Sequence, residues 1–130
     1  MTRSLSFTIP GPSIPWKRTT TVGTQRKTPA KMRAHKKHVA SCARVAVMRA
    51  QWAVVPAGVP LMLTAEFYRK RKVTATPDLS NLIKSPEDAM NAIVYADDSQ
   101  VVIYGPTTGK YDTREVGGEE RTVITVEVLE

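Results

Sequence analysis

The chain has a single cysteine, Cys42, so no internal disulfide can form and nothing points to an oxidising compartment. The opening Met-Thr-Arg-Ser-Leu-Ser-Phe-Thr-Ile-Pro lacks the apolar run of roughly 7–15 residues that a signal peptide needs. No segment approaches the ~18 apolar residues required to span a bilayer. The cytoplasm is therefore the expected location, with no membrane association. Acidic residues are missing from the first half, where none precedes Glu66. There is no internal repeat, no Gly-rich phosphate loop and no Ser-His-Asp arrangement, so these signs of a solenoid, a nucleotide-binding fold or a serine hydrolase are lacking.

What is present suits one compact domain, 1–130. The 130 residues include 42% hydrophobic and 24% charged side chains, enough for an ordinary core. The net charge is +7, and its placement says more than its size. Eleven Lys and Arg precede the first acid, and Arg69-Lys70-Arg71-Lys72 follows just after it. A field of one sign attracts polyanions and makes their binding salt-dependent. The competing explanation is a basic surface that serves solubility alone. A membrane surface is disfavoured, because no basic segment is paired with a strong aromatic or leucine-rich face.

Alternation of polar and apolar residues over 4–9 predicts a strand. Pro10, Gly11, Pro12 and Pro15 break it, and a long basic loop is expected through about Pro29. Helical spacing of Val39, Ala43, Ala46, Val47 and Ala50 predicts a helix from about Ala30 to Ala53. Val59, Leu61, Leu63, Ala65 and Phe67 alternate as a half-buried strand. A helix is expected from near Asp78 to about Ile93. Ser85-Pro86-Glu87-Asp88 reads as a fresh helix start inside it, predicting a kink or two short helices. A short strand over 100–104, a hairpin or loop over 105–118, and a last strand over 121–129 complete the chain. Thr122, Ile124, Val126 and Val128 share one face of that last strand. These elements predict an α+β domain, a mixed sheet packed by two main helices.

Two acidic clusters stand out, Asp78 in Pro77-Asp78-Leu79-Ser80-Asn81-Leu82-Ile83-Lys84 and the pair in Tyr95-Ala96-Asp97-Asp98-Ser99-Gln100. One helix separates them, so the chain can fold back and bring both ends together. Magnesium favours oxygen ligands, typically one or two carboxylates plus water and phosphate. A metal held there would orient water and neutralise charge on a scissile phosphate. Lys84 would stabilise charge on the same phosphate or leaving oxygen. Each residue also has a plain structural explanation: Asp78 as a helix cap, Asp97-Asp98 as a turn, Lys84 as a solvated cation. His35, His38 and Cys42 have helical spacing for zinc, but Lys36 and Lys37 oppose a cation and a fourth ligand is missing. Trp52 suits core packing, while Trp16 is open to stacking on bases.

Taken in order, Pro77-Asp78-Leu79-Ser80-Asn81-Leu82-Ile83-Lys84, Glu87-Asp88-Ala89 and Asp97-Asp98-Ser99-Gln100-Val101-Val102 resemble the signature of the RusA-type Holliday junction resolvases. That signature is Asp-x-Asp-Asn-Leu-x-Lys, a helix with an Asp-Ala step, then Asp-Asp-x-Gln-Val. Phe7-Thr8-Ile9-Pro10-Gly11-Pro12 with Lys17-Arg18 is similar to the family's N-terminal strand and basic, proline-rich loop. The resemblance covers most of the chain and is most specific over 77–102.

It implies a homodimer that cuts four-way or otherwise branched DNA with magnesium or manganese, in recombination and repair, without a small-molecule cofactor. By position it implies Asp78 and Asp98 as metal carboxylates with Asp97 beside them, and Lys84 as the catalytic lysine. Asp88 matches an acidic helix position of open role. Lys17, Arg18, Lys70, Arg71 and Lys72 are expected to contact the DNA backbone.

One departure matters: Ser80 stands where the family has its second metal aspartate. Ser80 binds metal through water, with Asp97 or Glu87 supplying the missing charge; or the metal is held more weakly; or the chain is a catalytically silent DNA binder. An unrelated restriction-type nuclease would want a Glu-x-Lys pair, and none follows Asp97-Asp98.

Overall fold

The computed structural model describes residues 3–16, the backbone of 20–22 and 25–27, and residues 30–129. The strands are β1 (Ser4–Pro10), β2 (Thr20–Val22), β3 (Gln25–Lys27), β4 (Leu61–Arg69), β5 (Val101–Tyr104), β6 (Gly109–Asp112) and β7 (Arg121–Val128). The helices are α1 (Ala30–Ala50), α2 (Leu79–Ala89) and α3 (Thr113–Val116), and a single 3-10 turn covers Asp98–Gln100.

Period-two alternation places every inward residue of the main sheet on one face. Leu63 of β4 lies opposite Val126 of β7, which lies opposite Leu5 of β1; Phe67, Thr122 and Ile9 form the next such row but one. The order is β1-β7-β4-β5, with β6 also on β4. The pairs β1–β7 and β4–β7 are antiparallel, while β5 and β6 run parallel to β4, so the sheet is mixed as the composition of elements predicts. Leu5, Ile9, Leu61, Leu63, Phe67, Ile124 and Val126 join Val39 and Ala43 of α1 and Leu82, Ile83 and Ala89 of α2 in one core.

Several expectations change. Part of the long N-terminal loop is a small antiparallel ladder, β2 against β3. The stretch 105–118 is not a hairpin: β5 and β6 follow each other along the same side of β4. Between them Gly105 passes so close to β4 that a Cβ there would lie 2.0 Å from Thr64 Oγ1. α1 ends at Ala50, because Gln51 takes a positive φ of 52° and Trp52 turns back into the core. There the Trp52 indole donates to Val94 O at 2.9 Å, which settles its role as packing.

Pro86 does not start a second helix: α2 runs through it as one element. A mid-helix proline costs about 3 kcal/mol. Burial of Leu82, Ile83 and Ala89 on the same helix offsets that, at about 1.5–3 kcal/mol for each large apolar side chain. Ser85, expected to cap, is fully buried. The helix stops at Ala89, before Ile93.

Candidate active-site groove

The β4–α2–β5 crossover fixes where the acidic clusters lie. Asp78 is the N-cap of α2, in extended conformation, and its side chain makes no capping bond. It is exposed, as is Ser80. The segment leading to Asp78 is tied down from the sheet: Lys110 Nζ of β6 donates to Ala75 O at 2.9 Å and to Pro77 O at 3.1 Å. The Thr76–Pro77 peptide is cis.

Ser80, Lys84 and Glu87 recur at helical spacing and line one groove, a cavity of about 400 Å³ completed by Tyr104, Gly105 and Thr108. The Lys84 ammonium stands 4.3 Å from the centre of the Trp16 ring, and Trp16 N–H donates to Asn81 O at 2.9 Å. The proline-rich segment thus docks on α2 and positions the lysine. The Trp16 ring faces this cation.

Glu87 is the carboxylate that the sequence offered, alongside Asp97, as a source of the charge missing at Ser80. Tyr104 donates to its Oε2 at 2.7 Å, and Tyr95, buried in the core, donates to its backbone carbonyl at 2.6 Å. Burial raises the Glu87 carboxyl above the usual range, the charge of Asp98 adds to this, and the Tyr104 bond and Lys84 oppose it. Burial and the bond to Glu87 push the Tyr104 hydroxyl up to about 12. Glu87, Asp98, Lys84 and Tyr104 therefore sense one another. The signal for Glu87 was its seven-residue spacing from Ser80, which puts both on one helix face.

Asp97 and Asp98 are adjacent but do different things. Asp97 caps the 3-10 turn, accepting from Ser99 N–H at 3.2 Å and from the Ser99 hydroxyl. Those bonds hold its carboxyl below the ordinary value. Gln100 completes the cap from Asp97 N–H and is itself buried, donating to Pro56 O and Val59 O. Among the described residues, no side-chain hydrogen bond or ion pair engages the Asp98 carboxylate. Asp88 points to α1, where Lys36 pairs with it, so its task is to join the two helices.

Asp98 senses Glu87 near the C-terminal end of α2, whereas Asp78 caps its N-terminus, about 13 Å away along an axis rising 1.5 Å per residue. Among the described residues no three His, Cys, Asp or Glu side chains form a group able to hold a metal ion. That includes His35, His38 and Cys42; His38 Nε2 is engaged with Pro10 O at 2.8 Å.

Of the expected DNA contacts, Lys70, Arg71 and Lys72 are exposed after β4, and Lys17 and Arg18 lie outside the described residues. No helix is long and apolar enough to cross a membrane among the described residues. A family model described as endodeoxyribonuclease RusA matches residues 10–127. No curated protein gives a significant match.

Proposed function

The chain belongs to the RusA endodeoxyribonuclease family, and from that premise we propose that it is a divalent-metal-dependent nuclease that cuts branched DNA such as four-way junctions, with the chemistry in the groove along α2. The observation that supports this reading is the groove itself: Ser80, Lys84 and Glu87 line it together, and the Glu87 carboxyl feels the charges of both Asp98 and Lys84.

The donor set fits magnesium or manganese, since it offers carboxylate oxygens and no soft ligand. Asp98 and Glu87 would hold a metal at one end, and Asp78 supplies an uncapped carboxylate at the other. Asp97 supports Asp98 through the turn it caps. When bound, the metal supplies charge neutralisation at the scissile phosphate and a more acidic water. The chain's own residues do the rest. Lys84, buttressed by Trp16, presents a fixed positive charge to the phosphate oxygens. Tyr104 orients the Glu87 carboxylate by its hydrogen bond. Lys70, Arg71 and Lys72 hold the DNA backbone without reading sequence.

We also assign the protein to a homodimer, since a two-fold enzyme matches a two-fold junction. The exposed Val102 and Ile103 on the outer strand β5 support such pairing. Sedimentation at micromolar concentration tests it; a monomer with full activity rejects it.

Ser80 favours a second reading, a junction binder without chemistry. Its neutral hydroxyl lines the groove where the family pattern places a carboxylate. A cleavage assay on a four-way junction with magnesium and then manganese separates the two. Binding without nicking in both metals selects the silent binder.

A further inference from the structure

A second cavity, of about 580 Å³, lies on the other side of the segment that carries Asp78, and Ser13, Lys31, Arg69, Lys70, Arg71 and Glu120 are among its walls. Arg69 is the unusual member. It is only 7% exposed, yet the one bond its guanidinium makes among the described residues is a long 3.5 Å contact to Thr76 O. Among the described residues no carboxylate forms an ion pair with it. A buried cation lacking a close partner is costly; the like charge of Arg71 adds to the cost, and Glu120 offsets it only in part.

Two independent features point the same way. Ser13, 6% exposed, has a hydroxyl with no hydrogen-bond partner among the described residues. The first turn of α1 (residues 30–32) also lines the cavity and contains no acidic residue, so the positive end of a 21-residue helix borders it.

We propose that this cavity is a binding site for a phosphate group. A guanidinium fork, a hydroxyl and a helix N-terminus are the donors a tetrahedral oxyanion needs. Glu120 on the wall opposes a dianion more than a monoanion, which favours a singly charged phosphodiester. A phosphodiester of a DNA backbone is the natural source, and that assignment rests on the nuclease reading; the cavity's preference for phosphate does not. Pro77 borders this cavity and Leu79 the groove, so a strand anchored here passes Asp78.

The test uses the full chain, titrated with inorganic phosphate by calorimetry and with a four-way DNA junction by anisotropy. The variants are Ser13→Asp, the exposed Arg71→Glu, and the exposed Arg44→Glu as a charge-matched control outside the cavity, each checked for folding by circular dichroism. Saturable phosphate binding that weakens about tenfold in the first two and not in the third supports the site. A parallel fall in junction affinity supports DNA as the source. Unchanged junction affinity with abolished phosphate binding overturns the DNA assignment and leaves free phosphate as the ligand. Absent phosphate binding, or equal binding in Arg71→Glu and the parent chain, overturns the site even if the chain cuts junctions. Phosphate binding here by a chain that never cuts overturns the nuclease reading alone.

Discussion

The groove along α2 and the cavity behind the 70–78 segment meet at Asp78 but differ in sign. In the groove, Glu87 stands with Lys84 and feels the charge of Asp98. In the cavity, Arg69, Lys70, Arg71 and Lys31 converge and a single carboxylate, Glu120, stands among them. The first arrangement is suited to a cation and the second to an anion. The 70–78 segment, with Lys110 fastening it, divides the two. On the proposed reading the contrast separates chemistry from anchorage, and each can be disturbed without the other.

The largest effect should come from the groove. Asp98→Asn is expected to lower cutting of a four-way junction by about a hundredfold or more while leaving binding intact. Asp78→Asn is expected to do the same. If only Asp98→Asn does so, the chemistry belongs to the Glu87 end alone. Lys84→Ala should slow the single-turnover rate by up to about a hundredfold with little change in affinity. An unchanged rate returns Lys84 to a partner of Trp16 only.

Ser80→Asp adds a carboxylate to the groove and should tighten manganese binding about tenfold, measured by calorimetry. Unaltered manganese affinity would place the metal away from that helix face. On the basic side, neutralising Lys70, Arg71 and Lys72 together should flatten the plot of log affinity against log salt by about 0.9 for each DNA phosphate they neutralise in the parent chain. A constant slope makes that cluster a solvated surface.

The smallest effect concerns pH. The folded-state pKa of Glu87 is raised, so the folded chain holds that proton more tightly than the unfolded one. The associated stability is present below the unfolded-state value and is lost as pH rises through the folded one. Glu87→Gln should therefore match the parent in melting temperature at low pH and exceed it slightly at pH 7. A lower melting temperature at pH 7 would mean that the ionised carboxylate is held favourably.

Much of this was legible in the sequence wherever a periodicity carried it. The strands over 4–10, 61–69 and 121–128 and the stripe of α1 follow from alternation and helical spacing. Pro86 misled, because a local breaker rule says nothing of the core that Leu82, Ile83 and Ala89 reach. The parallel placement of β5 and β6 was hidden for a similar reason: two short strands and a turn look alike in one dimension, whichever side of β4 receives them. The family was legible through the motif that holds Asp78, Lys84 and Asp98. Division of labour within Asp97–Asp98 required the turn geometry. Arg69 read as one more exposed cation of a basic run, whereas β4 continues far enough to bury it.

The bonds from Lys110 to Ala75 O and Pro77 O bear on association kinetics. A loop already fastened to the sheet has no ordering step to complete after encounter. Capture of a polyanion by this face should then be governed by collision and by the basic field, rising steeply as salt falls, with no lag from chain rearrangement. Cutting the Lys110 tether would show itself first in how fast DNA arrives, before it shows in how tightly DNA is held.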